Sequence, residues 1–329
     1  MSDTAILLLA HGTPEALDDI PEYLRNVTSG RPLPQQVVEE IRHRYSLIGQ
    51  SPLTGITLEQ GRLLSEAVGM PTYVGMRNWK PYIVDMVKQM RADGIRSAVA
   101  ICLAPHNSRT SVGLYRRAVQ AEAGDMRIEF IEGWAEHPLL ADAFADRLRP
   151  VLGRLREETG SDVPVLFTAH SVPCRTVQTQ SPAAASAADA RPERPAPPTS
   201  NSGPDPYAIE AKRTAALVAA RIADLKPEDW FFAFQSQGMS GGPWLGPTVE
   251  ETLAALAAAG RKSIVLQPIG FLCDHVEILY DIDIAFRKLA SSLGMRLERP
   301  QSLNDSPLLI SALEDLAHQG LERLQSERA

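Results

Sequence analysis

The run VPVLFTAHSVP, Val163 to Pro173, is an apolar stretch of strand length that ends on a histidine, a serine and a proline. It lies between two longer segments of helical period, Leu139–Glu158 and Ile209–Leu225. A short run buried on both faces and flanked by helices is the signature of a parallel strand in an α/β fold. Working outward, the same alternation recurs along the chain. Strands are expected at Ala5–Leu9, Thr72–Met76, Ala98–Leu103, Ile128–Ile131, Val163–Phe167, Trp230–Phe234 and Ser263–Pro268. Helical patterns separate them: Glu15–Val27, Gln36–Leu47, Leu58–Val68, Tyr82–Arg91, Val112–Glu122, Val249–Ala259 and Glu277–Leu293, with the two already named. In open parallel sheets ligands bind beyond the carboxyl ends of the strands. His11-Gly12-Thr13, Pro105-His106-Asn107, His170-Ser171 and the run from Gly270 to Glu277 all fall there, so histidines and a carboxylate should converge on one rim.

Composition narrows the classes of function. The chain has 329 residues, 44% of them hydrophobic, and a net charge of −7, which argues against general nucleic-acid or anionic-membrane binding. An anionic ligand would need a local basic pocket. Apolar runs never approach about 18 residues, and the N-terminus carries no basic region ahead of its short apolar stretch, so no transmembrane segment and a cytoplasmic location are expected. Cys102, Cys174 and Cys273 are scattered and odd in number, which fits neither a disulfide framework nor a zinc site. Seven of the 25 prolines fall within Gln180–Pro206, where an even spread would place about two. That stretch holds no Val, Ile, Leu, Met or aromatic residue, so it reads as a mobile insertion.

The usual nucleotide-binding, serine-hydrolase and zinc-protease motifs are absent. In DHVEILYD, helical spacing puts Asp274, Glu277 and Asp281 on one face and points His275 elsewhere. Three carboxylates without an interleaved cation form either a path for a divalent metal or a solvated acidic face. His170 alone is more often a hydrogen-bonded loop residue. Paired with Glu277 it would make a one-histidine, one-carboxylate site, open enough to release a borderline metal such as Fe(II).

These segments carry a resemblance. FTAHSVP (Phe167–Pro173), FQSQG (Phe234–Gly238), WLGP (Trp244–Pro247), GFLCDHVEILYDID (Gly270–Asp283), RYSLIGQSPL (Arg44–Leu53), LAPHNS (Leu103–Ser108) and LLLAHGTP (Leu7–Pro14) together resemble the ferrochelatases, over nearly the whole chain except the proline-rich insertion. The resemblance implies two Rossmann-like lobes, residues 1–150 and 151–329, each a four-stranded parallel sheet flanked by helices, with a porphyrin cleft between them. It places a C-terminal helix back near the lobe interface and the 180–206 insertion in the second lobe. By position, His170 and Glu277 match the catalytic and metal-binding pair, with Asp281 a secondary metal residue. AHGTP keeps the frame of the YGTP segment found in coproporphyrin III enzymes, whose tyrosine ligates the product iron, so His11 is expected as that axial ligand. Arg44, Tyr45, Ser51 and Tyr115 match positions that contact propionates or line the cleft. The family's early arginine aligns on Thr28, which leaves Arg25 or Arg31 in its place.

The implied activity is insertion of Fe(II) into coproporphyrin III. Protoporphyrin IX ferrochelatase is the alternative, and a sirohydrochlorin chelatase or a heme-binding protein lie further off. Iron is then a substrate, no cofactor is tightly bound, and three cysteines cannot build the iron-sulfur cluster of some relatives. A monomer is expected, with transient contacts to neighbouring heme-pathway enzymes and no nucleic-acid partner.

Overall fold

A computed structural model describes residues 3–174, 205–237 and 243–326. The expected alternation is present as two parallel sheets. In the first, β1 (Thr4–Ala10), β2 (Thr72–Met76), β3 (Ser97–Cys102) and β4 (Arg127–Ile131) take the order β2-β1-β3-β4. The second is built from β5 (Val165–His170), β6 (Trp230–Gln235), β7 (Ser263–Pro268) and β8 (Arg296–Glu298), in the order β6-β5-β7-β8. The central strands β1 and β3 are buried almost throughout, as continuous apolar runs require. β8 was not expected. Its three residues RLE alternate exposed and buried at the sheet edge and carry no apolar run.

Helices α1 (Ile20–Val27), α2 (Gln35–Ile48), α3 (Leu53–Val68), α4 (Ile83–Ala92) and α5 (Val112–Ala123) belong to the first lobe, with a 3-10 turn at Leu17–Asp19 in place of the start of the expected first helix. The long α6 (Pro138–Thr159) joins the lobes, so a boundary at residue 150 falls inside a helix. In the second lobe lie α7 (Tyr207–Ala219), α8 (Val249–Ala258), α9 (Val276–Leu279) and α10 (Arg287–Ser292). The helix expected over 277–293 is interrupted by a π-helical turn, Asp281–Phe286, where the Ala285 amide donates to the Tyr280 carbonyl five residues back.

The last helix, α11 (Pro307–Ser326), leaves the second lobe and packs on β3, β4 and α3 of the first and on the connecting α6. It buries Leu309, Leu313, Leu316 and Leu324, each worth about 1.5–3 kcal/mol on transfer from water. Close approach demands a glycine at Gly320, since a Cβ there would sit 2.4 Å from a Val99 methyl. One apolar cluster therefore runs from Ile6 and Val99 through Leu313 to Phe167 and Val265, spanning both sheets.

Most of the proline-rich stretch lies outside the described residues. Its end does not behave as a bare linker: Asp205 is 4% exposed and hydrogen-bonded to the first lobe. Among the described residues no helix is long and apolar enough to cross a membrane.

Candidate active site

The carboxyl ends of both sheets open into one cleft of about 490 Å³. Its first-lobe wall is made by the turns after β1, β2 and β3, the first two of which are laced together. The Arg77 amide donates to the Ala10 carbonyl (3.0 Å) and the Asn78 amide to that of His11 (2.9 Å). Gly12 permits this: its φ is +81°, and a Cβ would lie 2.9 Å from both Met76 Cβ and the Trp79 nitrogen. His11 and Arg77 are consequently delivered to the same rim.

The His11 ring opens on the cleft, with Nε2 3.0 Å from the Tyr23 hydroxyl and the Asn78 amide nitrogen within 3.2 Å. The enclosing walls of the cleft, then the charge of Arg77, lower its pKa, so the ring is neutral and its lone pair available. Tyr45 reaches the cleft from α2 and shares a hydrogen bond with Thr13 (3.0 Å). Tyr115 is buried with the Arg77 guanidinium 6.0 Å from its ring centre.

The second-lobe wall begins where β5 ends. The Ser171 amide donates to the Gln235 carbonyl (2.7 Å), and Ser171 Oγ donates to the Leu245 carbonyl (2.9 Å). The WLGP segment is thus a strap on the loop that carries His170. Gln235, fully enclosed, accepts from Thr168 (2.6 Å) and donates to the Glu277 carbonyl (3.2 Å), which ties β5 and β6 to the start of α9.

His170 Nδ1 lies in a short contact with the Ser171 carbonyl, which makes Nδ1 the donor and turns Nε2 toward Glu277 Oε1 at 3.3 Å. A bare lone pair facing a carboxylate at that distance is repulsive, so a proton or a cation belongs between them. Desolvation disfavours charge on the ring, but the Glu277 charge and hydrogen bond prevail and raise the His170 pKa. Burial likewise opposes ionisation of Glu277, yet His170 and His275 hold its carboxyl well below the usual carboxylate range.

The structure corrects two expectations about the acidic segment. His275 does not point elsewhere: its Nε2 lies 3.4 Å from Glu277 Oε2, the second oxygen of the same carboxylate. The helix starts only at Val276 and His275 is extended, so helical spacing does not extend back to it. For the same reason Asp274 leaves the stripe and bonds Ser302, Asn304 and Arg299. Asp281 remains near the pair. Burial raises its pKa, Ser236 donates a short hydrogen bond to it, and Arg44 Nη1 reaches it at 3.5 Å.

Arg44 itself does not line the cleft, because it is drawn to Asp281, Glu40 and the face of Tyr280. Arg31 is exposed and folds back on the Thr28 carbonyl (3.2 Å) beside the end of α1. Ser51 is buried outside the cleft lining. Arg77, by contrast, went unread in the sequence although it directly follows β2, where the strand-end rule would have found it.

A family model described as Ferrochelatase matches residues 3–321. A protein named Ferrochelatase from Acidobacterium capsulatum is 66% identical over 99% of this chain and 97% of its own. A Coproporphyrin III ferrochelatase from Geobacillus kaustophilus is 33% identical over 94% of this chain and 93% of its own. Among solved structures, the sirohydrochlorin chelatase SirB from Bacillus subtilis subspecies spizizenii, in complex with cobalt, superposes with a TM-score of 0.52 at 10% identity, covering 98% of this chain and 97% of that one. At that identity the likeness is one of fold.

Proposed function

Because the chain belongs to the ferrochelatase family of metal chelatases, we propose that its cleft takes coproporphyrin III and inserts Fe(II) into it, with release of two protons. The observation that carries this reading is the facing of the His170–Glu277 pair and His11 across one cleft. Insertion exchanges two pyrrole protons for a dication. The gap between His170 Nε2 and Glu277 Oε1 holds either a proton or a metal ion, which is the exchange the reaction needs. His170 accepts a pyrrole proton once its own has left. Glu277 supplies the charge that offsets the incoming iron, and Asp281 stands behind it for the next proton or ion.

The coproporphyrin preference rests on the first-lobe wall. Four propionates require donors and positive charge, and Arg77, Tyr45 and Ser108 line the cleft together with Gly12 and Thr13 of the Gly-Thr-Pro segment. Steady-state metalation of both porphyrins tests this. Coproporphyrin III is expected to turn over faster, and Arg77→Ala to raise its KM by about ten-fold, the worth of one lost charge-assisted hydrogen bond of about 1.5 kcal/mol. Faster turnover of protoporphyrin IX would reverse the assignment.

His11 is proposed as the axial ligand of the product iron, its neutral ring exchanging the Tyr23 hydrogen bond for the metal. The ferric product complex of His11→Ala should show a changed ligand-field absorption spectrum. An unchanged spectrum removes His11 from that role.

A further inference from the structure

We propose that Tyr207 is a positioning residue for His170, linking the orientation of that histidine to the contact between the lobes. The inference rests on the reading of His170 given above. Tyr207 is the first residue of α7, is 8% exposed, and donates its hydroxyl to the His170 carbonyl at 3.0 Å. The same peptide unit is held at its other end, where the Ser171 amide donates to Gln235. A peptide group gripped at both its carbonyl and its amide cannot rotate freely, and the next carbonyl, that of Ser171, is the one that receives His170 Nδ1–H. The tyrosine hydroxyl therefore acts one peptide unit upstream of the contact that selects the tautomer of the neutral ring and aims Nε2 at Glu277.

Tyr207 is in turn fixed from the opposite lobe. Asp205 caps its amide (3.1 Å) and accepts from Ser108 Oγ (3.3 Å) and the Arg109 amide (3.1 Å). Glu210 accepts from the Asn107 amide (2.6 Å), and Thr214 bonds His106 (3.0 Å), whose ring meets that of Tyr207 edge-on. The first-lobe loop seized in this way runs on to Thr110, whose carbonyl lies 3.5 Å from Arg77 Nη1. A substrate carboxylate drawn to Arg77 loads the same loop that, through α7, steadies His170.

Tyr207→Phe removes the hydroxyl and keeps the ring. Expected are a kcat lowered about ten-fold or more with the porphyrin KM unchanged, and, at a pH above the His170 pKa where the ring is neutral, loss of its single-tautomer pattern in ¹⁵N-histidine NMR. Thr214→Val, at a residue outside the cleft lining, cuts the ties to His106 and to the Ala135 carbonyl and should shift the same His170 signals in a folded protein. This second variant serves if Tyr207→Phe proves unstable. Wild-type kcat and unaltered His170 signals in both variants would overturn the proposal. A fall in kcat with unaltered signals would overturn it too, since a merely structural loss leaves the tautomer alone. His170→Ala separates the two layers: if it retains insertion, the reading of the site fails, whatever the spectra of the Tyr207 variant.

Discussion

Glu277→Gln is expected to reduce iron insertion by about 10³-fold while porphyrin still binds. The amide keeps the shape of the carboxylate but removes the charge that faces His170 at 3.3 Å and His275 at 3.4 Å. The substitution also has a sign in pH. Glu277 holds the His170 pKa above its ordinary value of 6.5, so the stabilising contribution of the raised imidazole is complete below that pH and is lost as pH rises through the native value. Glu277, depressed below its ordinary 4.5, contributes above that pH and loses its contribution as pH falls through its native value. The pair is thus intact between those limits, and insertion should accelerate on the alkaline side as His170 releases its proton. In Glu277→Gln the NMR titration of His170 should move to lower pH. A His170 that titrates as in the parent protein, or turnover within ten-fold of it, would contradict the assignment of this pair.

Arg299→Ala carries the largest expected loss of stability, about 3–5 kcal/mol by urea unfolding. The guanidinium, 9% exposed, binds both oxygens of Asp283 (2.9 and 2.6 Å) and one of Asp274 (3.1 Å). Removing it leaves Asp274 with only the neutral donors Ser302 and Asn304, and Asp283 with only the more distant Arg287 at 3.5 Å. Asp283 lies in the π-helical turn and Asp274 two residues before α9, so the same cation pins both ends of the segment that presents Glu277 and Asp281. A loss below about 1 kcal/mol would place the pair among ordinary surface ion pairs.

The parallel sheets were legible because their strands are buried on both faces, and burial leaves an apolar run in the sequence. β8 escaped notice because Arg296 and Glu298 interrupt its only buried residue, Leu297. The π-helical turn was equally hidden. Its extra residue is accommodated by tertiary contacts, Ser236 with Asp281 and Arg299 with Asp283, which no periodicity encodes. At the site, His170 and Glu277 were legible from their places after strands and from the resemblance. His275 was misread because helical spacing was carried into a residue that precedes the helix. Arg44 drew attention as a cation in a motif, but charge alone does not say which carboxylate it meets; here Asp281 and Glu40 occupy it.

The return of α11 to the first lobe has a consequence for the order in which the chain is made. Ile6, Leu8 and Val99 present one face of the first sheet to a cluster whose other members include Leu309, Leu313 and Leu316. During synthesis the part of that face on β3 and β4 is translated before the helix that covers it. Until residues 307–326 leave the ribosome the nascent first lobe exposes apolar sheet, the kind of surface that chaperones bind and that drives aggregation.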